Sequence, residues 1–188
     1  MPRPSPTTEQ SDLPDEVVLL DDGGTPTGRT MPRSEVHSTE TPLHLAFSCH
    51  LLGADGRVLV TRRALAKLTW PGVWTGSFCG HPRPGEAIED AVRRYARHEL
   101  GLTRLTGLAP LMPDFRYRAV DDSGIVEHEV CPVYVARADE QPHPNPDEVA
   151  ALQWVEVDDL LALVERAPWA VSPWLVLQAE GLRQLRRE

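Results

Sequence analysis

The run "LHLAFSCHLL", residues 43–52, does most to limit what this chain can fold into. It alternates, so Leu45, Phe47, Cys49 and Leu51 share one face of a strand. The turn "GADG" and the return "RVLVTRR" complete a hairpin. "EVVLLDDGGTPTGR" reads as a strand, a Gly-rich turn and a return. "FRYRAV", "DDSG" and "IVEHEVCPVYVAR" repeat the pattern as one longer hairpin, and "LQWVEV" follows the proline-rich connection "QPHPNPDE" as a further strand. Helical stretches separate these strands. "GEAIEDAVRRYARHELG" carries Ile88, Val92 and Tyr95 on one stripe, acids in its first turn and Gly101 as C-cap. "DDLLALVERAP" starts after Asp158 and ends before Pro168, and "SPWLVLQAEGLRQLRR" opens with Ser172 as N-cap and Pro173 at the first helical position. The expectation is an α/β (α+β) fold, with helices layered on a single mixed sheet.

A chain of 188 residues fits one domain, placed here at 15–188. The opening "MPRPSPTTEQSDLPDE" is rich in Pro, Ser and Thr and lacks an apolar run, which predicts a disordered tail over 1–14 rather than a signal peptide. The net charge of −9 argues against a phosphate-backbone footprint, so nucleic acid is not an expected partner. An anionic substrate would have to be held by a local cationic cluster or by a metal. Cys49, Cys79 and Cys131 are odd in number and irregularly spaced, which suits a reducing cytoplasm and not a disulfide framework. The longest apolar runs, such as "LHLAF" and "WLVL", are too short to cross a bilayer. A soluble, cytoplasmic monomer is expected.

Several groups could carry chemistry. In "SFCGHP", Cys79 and His81 flank one glycine, open to a redox thiol, a ligand pair, or a thiol working beside a metal-bound imidazole. Extending the stripe Ile88, Val92, Tyr95 lands on Glu99, a carboxylate that either reaches water through a fraying last turn or serves a metal. In "IVEHEV", Glu127 and Glu129 point to one face of a strand together with Ile125, Cys131, Val133 and Val135. Like charges there repel unless a cation lies between them, and a carboxylate pair interrupting an apolar face reads better as a site than as a surface. Of the seven histidines, His50, His98, His128 and His143 read as structural. His37 and His44 frame "STETP" before the first core strand, and with His81 and the two glutamates they would form a nitrogen-and-oxygen set suited to Zn, Mn or Fe rather than Mg alone. Arg62, Arg63 and Lys67 form a cationic patch able to bind phosphate oxygens, or simply a solubilising strand end.

From Gly80 the chain reads "GHPRPGEAIEDAVRRYARHELGL", which resembles the Nudix box. Gly80, Glu86, Arg94, Glu99, Gly101 and Leu102 match, whereas Tyr95 and His98 stand where the hydrolases place glutamates that hold Mg²⁺ and activate water. The box therefore implies a Nudix-like α/β/α sandwich while speaking against hydrolysis. Within that superfamily, "LHLAFS", "TRRALAK", "WPGVWTGSFCGHP", "PDFRYRA", "SGIVEHEVCPVY" and "PWAVSPW" occur in the order seen in type I isopentenyl-diphosphate Δ-isomerases, which the chain resembles from about Val17 to its last helix.

That resemblance implies an enzyme interconverting isopentenyl and dimethylallyl diphosphate by a proton shift across an allylic unit, for isoprenoid supply. It implies a Mn²⁺ or Zn²⁺ site at His37, His44, His81, Glu127 and Glu129, and a diphosphate-bridging Mg²⁺ at Glu99 and the backbone of Cys79. Cys79 and Glu129 become the proton-transfer residues, Tyr117 stands beside the double bond, and Trp174 faces the hydrocarbon, with Trp70 or Trp74 as further walls. Arg63, Lys67 and Arg33 become diphosphate ligands, Arg33 replacing the usual lysine and Tyr95 an arginine. Nearby cations would lower the Cys79 pKa to give a thiolate. Two other classes compete: a Nudix hydrolase of a nucleoside diphosphate derivative, and a non-catalytic diphosphate- or metal-binding protein.

Overall fold

The computed structural model describes residues 14–186. The tail expected over 1–14 therefore lies, apart from Pro14, outside the described residues. In chain order the elements are β1 (Glu16–Leu20), β2 (Pro26–Pro32), β3 (His44–Leu45), β4 (Phe47–Leu52), β5 (Val58–Arg63), β6 (Trp74–Thr75), β7 (Phe78–Gly80), α1 (Ile88–Leu100), β8 (Thr106–Met112), β9 (Arg116–Val120), β10 (Val126–Val130), β11 (Val133–Arg137), β12 (Val149–Val155), α2 (Val157–Arg166), α3 (Pro173–Leu177) and α4 (Ala179–Gln184).

The fold class is as expected, but the strands form two mixed sheets instead of one. One sheet runs β2-β1-β3-β10-β9; the other runs β12-β5-β4-β11-β8, with β6 on β5 and β7 on β4. The expected long hairpin "FRYRAV…VYVAR" divides at Cys131–Pro132, where β10 ends in the first sheet and β11 begins in the second. Proline offers no N–H to continue a ladder, so a strand crossing it changes partners there. The segment before it is continuous with its neighbour: Ala46 N–H donates to Val130 O at 2.9 Å and Ser48 N–H to Pro132 O at 3.1 Å.

The hairpin read from "LHLAFSCHLL" exists only at its closed end, where Leu52 faces Val58. Beyond that point β4 and β5 splay apart, and β6 and β7 enter the gap. Ser77 closes the fork: its hydroxyl donates to Leu59 O and accepts Leu51 N–H, both at 2.7 Å, replacing ladder bonds the splayed strands cannot make with each other. Neither short strand is visible in the alternation of the sequence, because both are too short to show a period.

Helices cover both faces of the larger sheet. Ala91, Val92, Tyr95, Ala96 and Leu100 of α1 pack on Phe47, Cys49, Leu51, Leu59 and Phe78. On the other face Leu160, Leu161, Val164, Leu175 and Leu182 pack on Leu52, Val58 and Val60. Gly101 ends α1 in a left-handed conformation, φ 66°, as its composition predicts. Gly80 permits the close approach of α1 to β7, since a Cβ there would lie 2.4 Å from the Tyr95 ring. The last helix is not continuous: it breaks at Gln178 into α3 and α4. Ser172 sits at the N-cap position but its hydroxyl makes no cap bond, pairing instead with the Thr75 hydroxyl at 2.8 Å.

Candidate active site

The short strand β10 places the site. Glu129 is in register with His44 on the parallel neighbour β3 and with Tyr117 on the antiparallel neighbour β9. Residues directly opposite in a ladder project to the same side, so one carboxylate is flanked by an imidazole and a phenol. His81 arrives from the loop after β7 and His37 from the turn before β3. The ligand atoms of His37, His44, His81 and Glu129 all lie within 4.8 Å of one another. Donors held at zinc or manganese distances from one ion stand about 3–4 Å apart, so a small contraction would bring these four onto a cation.

The donor chemistry fits a divalent metal. His44 Nδ1–H donates to Pro42 O at 2.9 Å, which leaves Nε2 as the free ring nitrogen. That Nε2 stands 3.2 Å from His81 Nε2 and 3.4 Å from Glu129 Oε1. His81 Nε2 lies 3.2 Å from the same oxygen. His37 Nδ1 is buried and has no hydrogen-bond partner. Burial, reinforced by His81, pushes His37 down to about 4, so its ring is neutral at neutral pH. Burial would raise Glu129, but hydrogen bonds to His44 and His81 hold it well below the usual carboxylate range.

Glu127 lies in the same cavity but outside the group of four. One of its oxygens accepts the Thr69 hydroxyl at 2.5 Å and the other accepts the Tyr117 hydroxyl, which also reaches Glu129 Oε2 at 3.0 Å. Burial and repulsion by Glu129 raise its pKa. Two neighbouring carboxylates therefore differ: Glu129 is held ionised and Glu127 toward the acid form.

The cavity holds about 180 Å³, and its wall includes Cys79, His81, Glu99, Glu127 and Glu129 with Arg33, Arg63 and Lys67. Cys79 and the metal-type cluster thus share one space. The protein's own groups do not lower the thiol pKa as expected from the sequence: burial, with Arg63 opposing, pushes Cys79 up to about 12. The fraying alternative for Glu99 also fails, because Glu99 is buried beside Lys67 Nζ at 3.9 Å. Burial, opposed by Lys67, raises it to about 7.

The cations are already engaged. Lys67 pairs with Glu148, Arg33 binds Asp15 at 3.1 Å, and Arg63 donates to Thr69 O at 2.8 Å and Thr69 Oγ1 at 2.9 Å. Arg62 is drawn off to Gly72 O at 2.8 Å and stands outside the cavity wall, so the sequence patch of three cations divides. Trp174 is almost fully buried, its ring 5.7 Å from Tyr117 and 5.3 Å edge-on from Trp70, with the Arg63 guanidinium 5.5 Å over it. Tyr117 and Trp174 reach the cluster through these contacts rather than through the cavity wall. Trp70 holds its place with φ 42°, a strained conformation for a bulky residue.

Thr69 and Glu148 escaped the reading of the sequence. Thr69 falls between "TRRALAK" and "WPGVWTGSFCGHP" and Glu148 at the end of the proline-rich connection, and only the fold brings them to Glu127 and Lys67. The box residues that match do structural work. Arg94 grips Glu86 at 2.8 and 2.6 Å and His81 O at 3.0 Å, fixing the loop that carries His81. At the two departures from the box, Tyr95 packs on Gly80 and the exposed His98 pairs with Glu148 at 3.2 Å.

The chain matches the NUDIX domain over residues 42–175. It is 61% identical over 166 residues to the isopentenyl-diphosphate Delta-isomerase of Agromyces mediolanus, covering 88% of this chain and 80% of that one. The enzyme of the same name from Citrobacter koseri is 52% identical over 176 residues, covering 93% and 96%. Among solved structures, DR0079 from Deinococcus radiodurans superposes with a TM-score of 0.68 at 22% identity, covering 92% of this chain and 99% of that one, a likeness of fold. A MutT NUDIX hydrolase from Burkholderia pseudomallei gives a TM-score of 0.54 at 28% identity, covering 77% and 98%. With this site on this fold and relatives this similar along most of its length, the chain belongs to the isopentenyl-diphosphate Delta-isomerase family of NUDIX-domain proteins.

Proposed function

We propose that this chain interconverts isopentenyl diphosphate and dimethylallyl diphosphate. The observation that carries the reading is the gathering of His37, His44, His81 and Glu129 at one cavity that Cys79 also lines. The reaction adds a proton to the terminal alkene carbon and removes one from the methylene beside the double bond. The C=C bond moves one position and nothing else is gained or lost.

Cys79 and Glu129, the latter bonded by the Tyr117 hydroxyl, are the proton-transfer pair on opposite sides of the allyl unit, the neutral thiol able to give a proton and the ionised carboxylate to take one. In the reverse direction the same two groups exchange roles. Positive charge builds at the tertiary carbon between them, and burial keeps water from trapping it. The indole of Trp174 packs behind Tyr117 and backs that phenol as an apolar, aromatic wall.

His37, His44, His81 and Glu129, with Glu127 alongside, would hold Mn²⁺ or Zn²⁺. Glu99 and the backbone of Cys79 would hold the Mg²⁺ that accompanies the substrate. Bound ions supply positive charge beside Glu129 and beside the diphosphate. Arg63, Lys67 and Arg33 bind the diphosphate oxygens, and Lys67 leaves Glu148 to do so. Hydrolysis is disfavoured because Tyr95 and His98 offer no carboxylate at the two box positions that would need one.

Incubating the purified protein with isopentenyl diphosphate, Mg²⁺ and Mn²⁺ in deuterated water tests the reading. Deuterium in dimethylallyl diphosphate, with no phosphate released, is expected. Release of phosphate or unchanged substrate would overturn it.

A further inference from the structure

The loop between β5 and β6 brings Lys67 and Thr69 into the cavity wall. Thr69 is tied on two sides. From one side the Arg63 guanidinium donates through Nε and Nη2 to Thr69 O at 3.0 and 2.8 Å, and through Nη2 again to Thr69 Oγ1 at 2.9 Å. On the other side Thr69 Oγ1–H donates to Glu127 Oε1 at 2.5 Å. The second oxygen of Glu127 accepts the Tyr117 hydroxyl, which also reaches Glu129 Oε2 at 3.0 Å. A continuous run of hydrogen bonds thus joins a cation proposed for the diphosphate to a carboxylate proposed for proton transfer, with Thr69 in its middle.

Donor counting fixes the direction at Thr69. A guanidinium has five N–H groups and accepts nothing. Three of them are spent on Thr69, which leaves the two on Nη1 for an anion in the cavity that Arg63 lines. Because Thr69 Oγ1 already accepts from Arg63, its single hydrogen is the one that goes to Glu127. Thr69 is 3% exposed, so bulk water does not compete for either contact. The two bonds to Thr69 O belong to the backbone and do not depend on the side chain, whereas the contact with Glu127 belongs to the hydroxyl. Trp70, the next residue, holds its strained φ of 42°. Such strain persists only where the surroundings over-determine the backbone, and the bonds on Thr69 supply that constraint.

We infer that Thr69 is a positioning residue for the isomerase reaction: its hydroxyl, braced by Arg63, holds the Glu127 carboxylate so that the far oxygen aligns the Tyr117 hydroxyl with Glu129. This rests on the proposed roles of Tyr117 and Glu129. It gives a reason for Glu127, which lies in the cavity yet outside the group of four, to be buried with a donor on each oxygen. A carboxylate bonded through both oxygens cannot turn without breaking one of the two bonds. Loss of the Thr69 hydroxyl would release Glu127 while the two carbonyl bonds still hold Arg63, so turnover and diphosphate binding should separate.

The test combines activity with a signal that does not depend on turnover. Thr69→Val keeps the shape of the side chain and removes the hydroxyl, whereas Thr69→Ser keeps the hydroxyl. At saturating Mn²⁺ and Mg²⁺, Thr69→Val is expected to lower kcat roughly tenfold to a hundredfold, with KM for isopentenyl diphosphate and Kd for inorganic pyrophosphate unchanged. Thr69→Ser should stay close to wild-type kcat. Wild-type kcat in Thr69→Val, equal losses in Thr69→Ser and Thr69→Val, or a loss confined to KM overturns the inference. Independently, the infrared carboxyl bands of Glu127 in the metal-free protein, assigned by difference against Glu127→Gln, should shift in Thr69→Val and stay in place in Thr69→Ser. Bands that ignore Thr69→Val overturn the tie even if the wild type isomerises. Shifted bands in a protein that does not isomerise would overturn the proposed function and leave the tie standing. Should Thr69→Val fail to fold, Thr69→Ala read against Thr69→Ser still decides.

Discussion

Replacing Gly80 by alanine should damage both stability and turnover through one contact. A Cβ at this position would lie 2.4 Å from Tyr95 Cε1, 2.4 Å from Cζ and 2.6 Å from Cδ1. Neither partner can yield cheaply. Gly80 is paired with Phe47 in β7, and the Tyr95 ring is wedged edge-on against Phe47 at 5.5 Å and capped by the Arg94 guanidinium at 4.7 Å. Overpacking of this kind costs about 1–3 kcal/mol, and with a urea slope of ~2 kcal/mol/M it lowers the unfolding midpoint by about 1 M. Tyr95→Ala alone costs about 3–5 kcal/mol as a cavity. In that background Gly80→Ala should cost almost nothing, because the added methyl enters the vacated space, giving a coupling energy of about 1–3 kcal/mol. Cys79 precedes Gly80 on the same short strand, so the single variant should also lose kcat. Urea unfolding of the four proteins, followed by tryptophan fluorescence, measures the cycle. A Gly80→Ala protein with the wild-type midpoint, or additive effects in the double variant, would refute the close approach of α1 to β7.

Cys79→Ala and Glu129→Gln should each abolish detectable isomerisation while keeping the wild-type melting temperature within a few degrees, as checked by deuterium incorporation and calorimetry. Mn²⁺ or Zn²⁺ at a hundredfold excess over Kd should stabilise the metal-free protein by about 2.7 kcal/mol, and His37→Ala, which removes one of the four gathered ligands, should lose most of that gain in a thermal-shift titration. His50 gives a pH dependence of stability. Its pKa falls from 6.5 in the unfolded chain to about 4 in the fold, so its neutral form is the native one. The stability tied to it is fully present above pH 6.5 and is lost as pH falls toward 4, a swing of ~3 kcal/mol. His50→Leu should flatten that part of the urea-midpoint profile, and an unchanged slope would count against a neutral buried ring.

Much of this protein is written in short-range patterns. The alternation of "LHLAFSCHLL" and the apolar run after "GADG" mark β4 and β5, although β4 is buried on both faces, and the stripe Ile88, Val92, Tyr95 with its left-handed Gly101 marks α1. Side chains a few positions apart on one element answer to a single backbone period, so burial of these faces can be read locally. The resemblance to known motifs also named the residues that later gather. Long-range pairing settled the rest. The fork of β4 and β5, held by Ser77, and the division of one apparent hairpin at Pro132 depend on which strands meet across the sheet. The parallel register of His44 with Glu129 brings His37, His44, His81 and Glu129 together from distant stretches of chain. The same packing buries Glu99, which the helical stripe alone left open to water, and commits Lys67 to Glu148. A residue's type says which charges and hydrogen bonds it can offer. Its solvation and its partner follow from the whole arrangement of sheets and helices, because dielectric and distance are properties of the assembled core.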